Sequence, residues 1–204
     1  MLRSARIVKI GMLLGIYIVL ATACAGSPAA DGERADLQAT EPAQLGEEGV
    51  MAFELISSAF SGGEAIPRRH TCDGEDLSPA LAWEDAPEGV ASFALIMDDP
   101  DAPVGTWVHW VLFNIPATAR SLEEGMAPDA QLADGSRHGS NSWGRLGYGG
   151  PCPPSGTHRY FFKLYALDEA LDLEPGASKE DLLEAIQGHV LAQTELMGTY
   201  SRAR

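Results

Sequence analysis

Four side chains that can bind ions or exchange protons stand near the ends of predicted strands: Asp99, His109, His158 and Tyr160. They supply one carboxylate, two imidazoles and a phenol. Two imidazoles, together with the backbone N–H groups of residues 155–157, are suited to hold an oxyanion such as phosphate or sulfate. Asp99 can hold one imidazole in its charged form or accept a hydrogen bond from a ligand. The combination predicts a small anion-binding pocket.

Three motifs carry these residues: "DDPDAP" (98–103), "WVHW" (107–110) and "PCPPSGTHRY" (151–160). Each motif has an ordinary structural interpretation, because Asp and Pro are common in turns and a single histidine in an apolar strand is usually a packed core residue. Proline has no N–H to donate, so Pro153 and Pro154 are expected to fix the shape of the loop. The three motifs together favour a pocket.

Strand alternation decides which of these side chains share a face. Trp107 and His109 are predicted to lie on one face of their strand, with Trp107 as a wall of the pocket. His158 and Tyr160 share a face of a later strand, while Arg159 points away from it.

Two other chemistries use the same residues. A hydrolytic triad can be drawn from Ser142 or Ser155 with one histidine and Asp99, although the chain has no "GxSxG" motif. A metal site can be drawn from His109, His158 and Asp99, although no close-spaced ligand pair such as "HExxH" is present. The sequence favours non-catalytic binding over either alternative, with no cofactor and no catalytic residue assigned.

The elements that must position these residues are mainly strands. The segments 92–99, 107–115 and 158–167 are the strongest candidates, and 52–60 and 80–83 are weaker ones. The run 107–115 is apolar throughout, which predicts burial on both faces. Because Gly-, Pro- and Asp-rich turns join the strands, we expect a mostly β fold with an antiparallel core.

One helix is predicted over residues 179–198, with Ser178 as its N-cap and Asp181 completing a near capping box. Gly188 weakens it. The residues expected to pack this helix on the sheet recur at helical spacing: Leu183, Ile186, Val190 and Met197. The remaining histidines are weaker candidates for the pocket. His70 and His138 are expected to face solvent, and His189 to pack on the helix.

The first 23 residues are typical of an export signal. Arg3, Arg6 and Lys9 precede the uncharged run 10–23, which is too short to span a bilayer as a helix. The run ends "LATAC", which resembles a bacterial lipoprotein cleavage box with Cys24 as the lipidated residue, although Ala21 stands where leucine is usual. An ordinary secretory signal and an uncleaved anchor remain alternatives. All three place the following domain outside the cytoplasm.

Residues 24–49 are small, acidic and proline-containing, which predicts a disordered tether. The domain proper is predicted over 50–204. The chain carries 14 basic and 29 acidic residues, for a net charge of −15. Such an acidic surface repels nucleic acid and anionic lipid, so the only membrane contact expected is a lipid anchor.

Cys72 and Cys152 both flank the predicted pocket. Outside the cytoplasm two thiols can pair, and a disulfide stabilises a domain by about 2–4 kcal/mol. The alternative is two independent small buried residues.

The motifs "DPDAP", "WVHW" and "GPCPPSGTHRYFFKLYAL", with "IPRRHTCDGEDLSPALAW" (66–83) and "GHVLAQTELMGTY" (188–200), resemble the phosphatidylethanolamine-binding protein family. The resemblance is greatest to its bacterial and archaeal branch, called Raf kinase inhibitor-like, and covers about residues 50–204. It implies a β-sandwich-like core of antiparallel strands with short helices and a pocket for phosphate-like anions. The residues that it places in that pocket are Asp99, Pro103, Trp107, His109, Pro153, Pro154, His158 and Tyr160. Inhibition of a partner kinase or protease is compatible with this resemblance and is not implied by it.

Overall fold

The computed structural model describes residues 52–202. The predicted signal segment 1–23, the lipidation site Cys24 and the tether 24–49 lie outside the described residues. The described part contains a short 3-10 helix (Arg68–His70), one α-helix, α1 (Lys179–Ala185), and eight strands. The strands are β1 (Glu54–Ser57), β2 (Leu81–Glu84), β3 (Ser92–Asp99), β4 (Trp107–Pro116), β5 (Ser121–Leu122), β6 (Arg137–His138), β7 (Thr157–Leu167) and β8 (Val190–Ser201).

The strands form two antiparallel sheets. The smaller has the order β1-β2-β5 and the larger the order β6-β4-β3-β7-β8. Strand β3 lies in the centre of the larger sheet, and all eight of its residues are buried. Most of β4 is buried on both faces as well, as its continuous apolar sequence predicts. These two strands form the rigid base that carries Asp99 and His109.

The two faces of the larger sheet belong to separate cores. On one face, side chains such as Phe93, Leu95 and Trp110 pack with Leu55 and Trp83 of the smaller sheet. The opposite face is covered by α1. The mostly β, antiparallel, sandwich-like architecture with a C-terminal helix packed on it is therefore confirmed. No helix within residues 52–202 is both long and apolar enough to cross a membrane.

The predicted extent of the C-terminal helix is wrong. Ser178 and Asp181 do form a reciprocal capping box, but the helix ends at Ala185 and residues 190–201 form β8, which pairs with the whole of β7. Gly188 lies in the turn between them at φ 86°, a left-handed conformation that ends a helix easily. Pairing along β7 outweighs the moderate helix propensity of "VLAQTELM" because it satisfies the backbone of both strands.

The surroundings predicted for three histidines are also wrong. His70 and His138 are buried rather than solvent-facing, and each ring is held by a backbone carbonyl, that of Leu77 or Asp129. His189 lies in the turn before β8, where Nδ1 is 2.9 Å from Oδ1 of Asp168. Strand β3 has the predicted bounds, and the ends of β2, β4 and β7 differ from the predicted ones by at most one residue, whereas β1 spans 54–57 instead of 52–60.

Candidate functional site

An open cavity of about 230 Å³ lies where β3 ends and where β4 and β7 begin. Seven of the eight residues that the sequence nominates line it. The full lining is Asp99, Ala102, Pro103, Val104, Trp107, His109, Trp143, Cys152, Pro153, Pro154 and His158. A larger cavity of about 510 Å³ elsewhere, between β1 and β8, contains no histidine and has only Glu54 and Glu195 as ionisable side chains. Of these two cavities, the smaller is the one that combines imidazoles with a carboxylate.

His158 and Asp99 form a buried pair across β7 and β3. Nδ1 of His158 is 2.7 Å from Oδ2 of Asp99, and both residues are less than 10% exposed. Because a carboxylate can only accept, Nδ1 carries the proton and Nε2 is left as the ring nitrogen that can meet a ligand. Oδ1 of the same carboxylate accepts the backbone N–H of Asp101 at 2.8 Å, which fixes the orientation of Asp99.

His109 is oriented in the same way by a neutral group. Its Nδ1 donates to the carbonyl oxygen of Gly149 at 2.6 Å, so Nε2 again is the nitrogen without a proton in the neutral ring. Burial lowers the pKa of His109 below 6.5, against the opposing effects of the Gly149 carbonyl and of Asp99. His109 is therefore uncharged at pH 7, and its Nε2 accepts hydrogen bonds unless the ring takes up a proton.

Tyr160 lies behind the cavity and is not part of its lining. The side chain is fully buried, and its ring meets that of His109 edge-on at 5.2 Å. Desolvation raises its pKa far above 10, although the nearby backbone of Cys152 acts in the opposite direction. The hydroxyl makes no hydrogen bond of acceptable geometry to any group in residues 52–202. Contact between Tyr160 and a ligand stays a prediction. In the structure, the Tyr160 ring packs against the ring of His109.

The three carboxylates of "DDPDAP" have three different partners. Asp98 is buried on the helix side, where Lys163 of β7 and Lys179 of α1 both bind it. Asp99 holds His158. Asp101 accepts from the backbone and the guanidinium of Arg159, which lowers the pKa of Asp101 to about 2. Only Asp99 of the three faces the cavity.

The aromatic wall has one member that the sequence reasoning missed. Trp143 packs edge-on against both Trp107 and His109, with ring centres 5.4 Å and 5.0 Å apart. It is 38% exposed. The sequence feature that could have identified Trp143 is its position as a large aromatic residue within the polar, glycine-rich loop "SNSWGRLGYGG".

The loop that forms the proline wall is attached to residues 70–76 at several points. A disulfide joins Cys72 and Cys152, so the predicted pairing is present. The hydroxyl of Tyr148 donates to the carbonyl of His70, and the N–H of Gly150 donates to Asp76. The predicted backbone donors at 155–157 do not line the cavity.

In the described part of the chain, neither serine proposed for a triad forms a hydrogen bond with an imidazole. Ser142 Oγ accepts the backbone N–H of Val108 at 2.8 Å, and Ser155 is exposed. Within residues 52–202 no group of three or more His, Cys, Asp or Glu side chains has the geometry of a metal site.

A family model described as phosphatidylethanolamine-binding protein matches residues 56–201. The chain belongs to the phosphatidylethanolamine-binding protein family. The matched range begins within β1 and ends with β8, so it includes both sheets and every residue that lines the cavity.

Relatives of this phosphatidylethanolamine-binding protein domain occur in archaea and bacteria. A UPF0098 protein of Methanothermobacter thermautotrophicus is 58% identical over 150 residues, which is 74% of this chain and 99% of the relative. A UPF0098 protein of Aquifex aeolicus is 50% identical and covers 78% of this chain and 94% of its own length. These relatives support the bacterial and archaeal branch of the family.

Two solved structures share the fold. One is a putative phosphatidylethanolamine-binding protein homolog, CT736, from Chlamydia trachomatis, at 43% identity and a TM-score of 0.69 over 74% of this chain and 99% of that one. The other is YbcL of Escherichia coli, described as a new member of the mammalian family, at 34% identity and a TM-score of 0.69 over the same shares.

Proposed function

We propose that this protein is a non-catalytic, extracytoplasmic binding protein whose cavity captures a small anion or the phosphorylated group of a larger ligand. The observation that carries the proposal is the orientation of the two imidazoles. Nδ1 of each ring is fixed by an acceptor, Asp99 or Gly149, which leaves Nε2 as the nitrogen that can bond a ligand. Both rings line the same open cavity. Protonated at Nε2, the pair donates two charge-assisted hydrogen bonds to one anion.

The other lining groups fit a compact guest. Pro103, Pro153 and Pro154 make stiff walls, and two tryptophans exclude water from one side. A volume of about 230 Å³ holds a phosphate or sulfate with room for a short substituent. A longer ligand would leave through the open mouth, which is compatible with a phosphorylated head group or side chain. A protein partner whose activity is inhibited is compatible with the same surface.

Binding is favoured over hydrolysis because no serine hydroxyl lies within hydrogen-bonding reach of His109 or His158 in the described residues. The Asp99–His158 pair is the one feature shared with a triad. Ester hydrolysis that is lost on Ser155→Ala would indicate that the protein is a hydrolase. One metal ion per chain that is retained through dialysis and lost on His158→Ala would indicate that the protein binds a metal at this site.

The test is calorimetric titration with inorganic phosphate at pH 6.0 in a buffer free of other multivalent anions. We expect His109→Gln and His158→Gln each to weaken phosphate binding by at least about tenfold, because each removes one charge-assisted hydrogen bond. His189→Gln is the matched control, since His189 lies outside the cavity and pairs with Asp168. Circular dichroism checks that each variant is folded. Unchanged affinity in both cavity variants would refute the assigned site.

A further inference from the structure

The Cys72–Cys152 disulfide occupies an unusual position, because one of its halves lines the candidate cavity. Cys152 lies in the cavity wall beside Pro153 and Pro154, while Cys72 lies outside it in the segment "CDGED". Both cysteines are exposed to solvent. Exposed disulfides are the ones that external thiols reduce most readily, whereas purely structural disulfides are usually protected.

We propose that this disulfide is a thiol-exchange site that switches the cavity between an anion-binding and an anion-rejecting state. The substrate is a small thiol of the glutathione class or a protein dithiol. The inference rests on the proposed function, because the state that is switched is the affinity of that same cavity.

The exchange takes two balanced steps. In the first, an external thiolate attacks Sγ of Cys72, a new sulfur–sulfur bond forms there, the Cys72–Cys152 bond breaks, and the electron pair leaves on Sγ of Cys152. In the second, another thiolate attacks the mixed disulfide and leaves Cys72 as a thiolate. The protein gains two electrons, and the two external thiols become one oxidised disulfide.

The surrounding charges decide which sulfur is released. A thiolate on Cys152 shares the cavity with His109 and His158, with the Asp99 carboxylate bonded to His158 and the Asp101–Arg159 pair outside the lining. Cys72 lies instead in a segment with three carboxylates: Asp73, which is bound by Arg202 and Tyr200 and is also close to Arg68, Glu75, which is bound by Arg69, and Asp76, which accepts from the N–H of Gly150. The thiolate of Cys152 is therefore the better leaving group.

Room in the cavity favours the same outcome. An adduct on Cys152 would lie against the wall of the cavity beside Pro153 and Pro154, whereas one on Cys72 extends into solvent outside the cavity. Reduction thus places a negative charge on the cavity wall, where it repels an incoming anion.

The fold does not depend on this bond alone. The loop is still held to residues 70–76 by the Tyr148–His70, Gly150–Asp76 and Cys72–Pro151 hydrogen bonds after the sulfurs separate. The effect of reduction is therefore expected at the cavity, and it should be measured at a temperature where the reduced protein remains folded by circular dichroism.

Two single variants separate the cavity charge from the lost tether. Cys72→Ser and Cys152→Ser both lack the disulfide, but only the first keeps a thiol in the cavity. We expect Cys72→Ser to bind phosphate about tenfold more weakly than Cys152→Ser at pH 7.5, and the difference to disappear at pH 5.5, where the thiol is protonated. Phosphate titration followed by ³¹P NMR measures both.

A second measurement is independent of phosphate. Alkylation by iodoacetamide reports the thiolate, and we expect its rate to rise at lower pH for Cys152 in Cys72→Ser than for Cys72 in Cys152→Ser. After limited treatment of the wild-type protein with glutathione, peptide mass spectrometry should find glutathione on Cys72 and the alkyl group on Cys152.

The outcomes are distinguishable. Coincident alkylation profiles, or glutathione on Cys152, would overturn the proposed chemistry of the exchange. Equal phosphate affinity in the oxidised and the reduced wild-type protein would overturn the switch and leave the anion site standing. Phosphate binding to neither form would overturn the proposed function, and the alkylation profiles would still test the thiol chemistry by itself.

Discussion

At the scale of single residues, the two imidazoles of the cavity are oriented alike but by different kinds of acceptor. Nδ1 of His158 donates to the carboxylate of Asp99, whereas Nδ1 of His109 donates to the neutral carbonyl of Gly149, and burial lowers the pKa of His109. An anion that enters supplies the missing negative charge beside His109. Ligand binding and proton uptake at His109 should therefore be linked.

This linkage predicts the pH dependence of anion binding. Because burial lowers the pKa of His109 below 6.5, its protonated form becomes available only as the pH falls, so sulfate affinity should rise as pH falls from 8 to 5. Uptake of one proton on binding changes the sulfate affinity by at most about tenfold per pH unit. Sulfate is used because it does not itself titrate in this range.

The matched variant for that measurement is His109→Gln, whose amide offers a donor that does not titrate. Its sulfate affinity should vary less with pH than that of the wild-type protein. An affinity of the wild-type protein that stays constant between pH 5 and 8 would contradict the proton-linked mechanism and indicate binding through neutral donors.

At the scale of elements, β7 carries His158 and Tyr160, and β8 holds β7 in place along its length. Gly198 of β8 lies opposite Tyr160 in the register, and the space beside it is filled. A Cβ atom there would come within 2.6 Å of Ile66 and 2.7 Å of Phe60. Glycine is therefore required at this position by packing and not by backbone conformation.

We expect Gly198→Ala to lower the free energy of unfolding by about 1–3 kcal/mol, because overpacked cores force side chains out of their preferred rotamers. The control is Gly62→Ala, where the nearest atom to a new Cβ is 3.8 Å away and the change should stay within about 0.5 kcal/mol. Urea unfolding measures both. Equal stabilities of the two variants would show that Ile66 and Phe60 can move aside without cost.

At the scale of the whole molecule, the charge of the protein and that of its guest have the same sign. The chain carries a net charge of −15, yet the cavity offers imidazoles on a surface rich in carboxylates. Long-range electrostatics therefore oppose anion entry, and selectivity must come from short-range hydrogen bonds within the cavity. Raising the ionic strength screens that repulsion.

The proposed location of the protein is tested at the same scale. We expect wild-type protein produced in a bacterial host to partition into the detergent phase of a Triton X-114 extract, and Cys24→Ser to partition into the aqueous phase because lipid can no longer attach. Ala21→Leu, which restores the usual residue of the cleavage box, is the control and should keep detergent partitioning. Wild-type protein in the aqueous phase would indicate an ordinary secretory signal.

The sequence alone determined the features that depend on local pattern. Apolar runs predicted β3, β4 and β7 because buried strands need continuous apolar residues, and "DDPDAP", "WVHW" and "PCPPSGTHRY" predicted which residues meet at their ends. The capping box at Ser178 was readable because it uses neighbouring residues only.

Only the tertiary structure decided what depends on partners distant in the chain. "VLAQTELM" has helical spacing by itself, and it becomes a strand because β7 offers an unpaired edge for its whole length. His138 is buried, and its Nδ1 is bonded to the carbonyl of Asp129, a partner that strand spacing does not predict. Trp143 reaches the cavity and Tyr160 lies behind it because of how the loops and sheets pack, which no local pattern encodes.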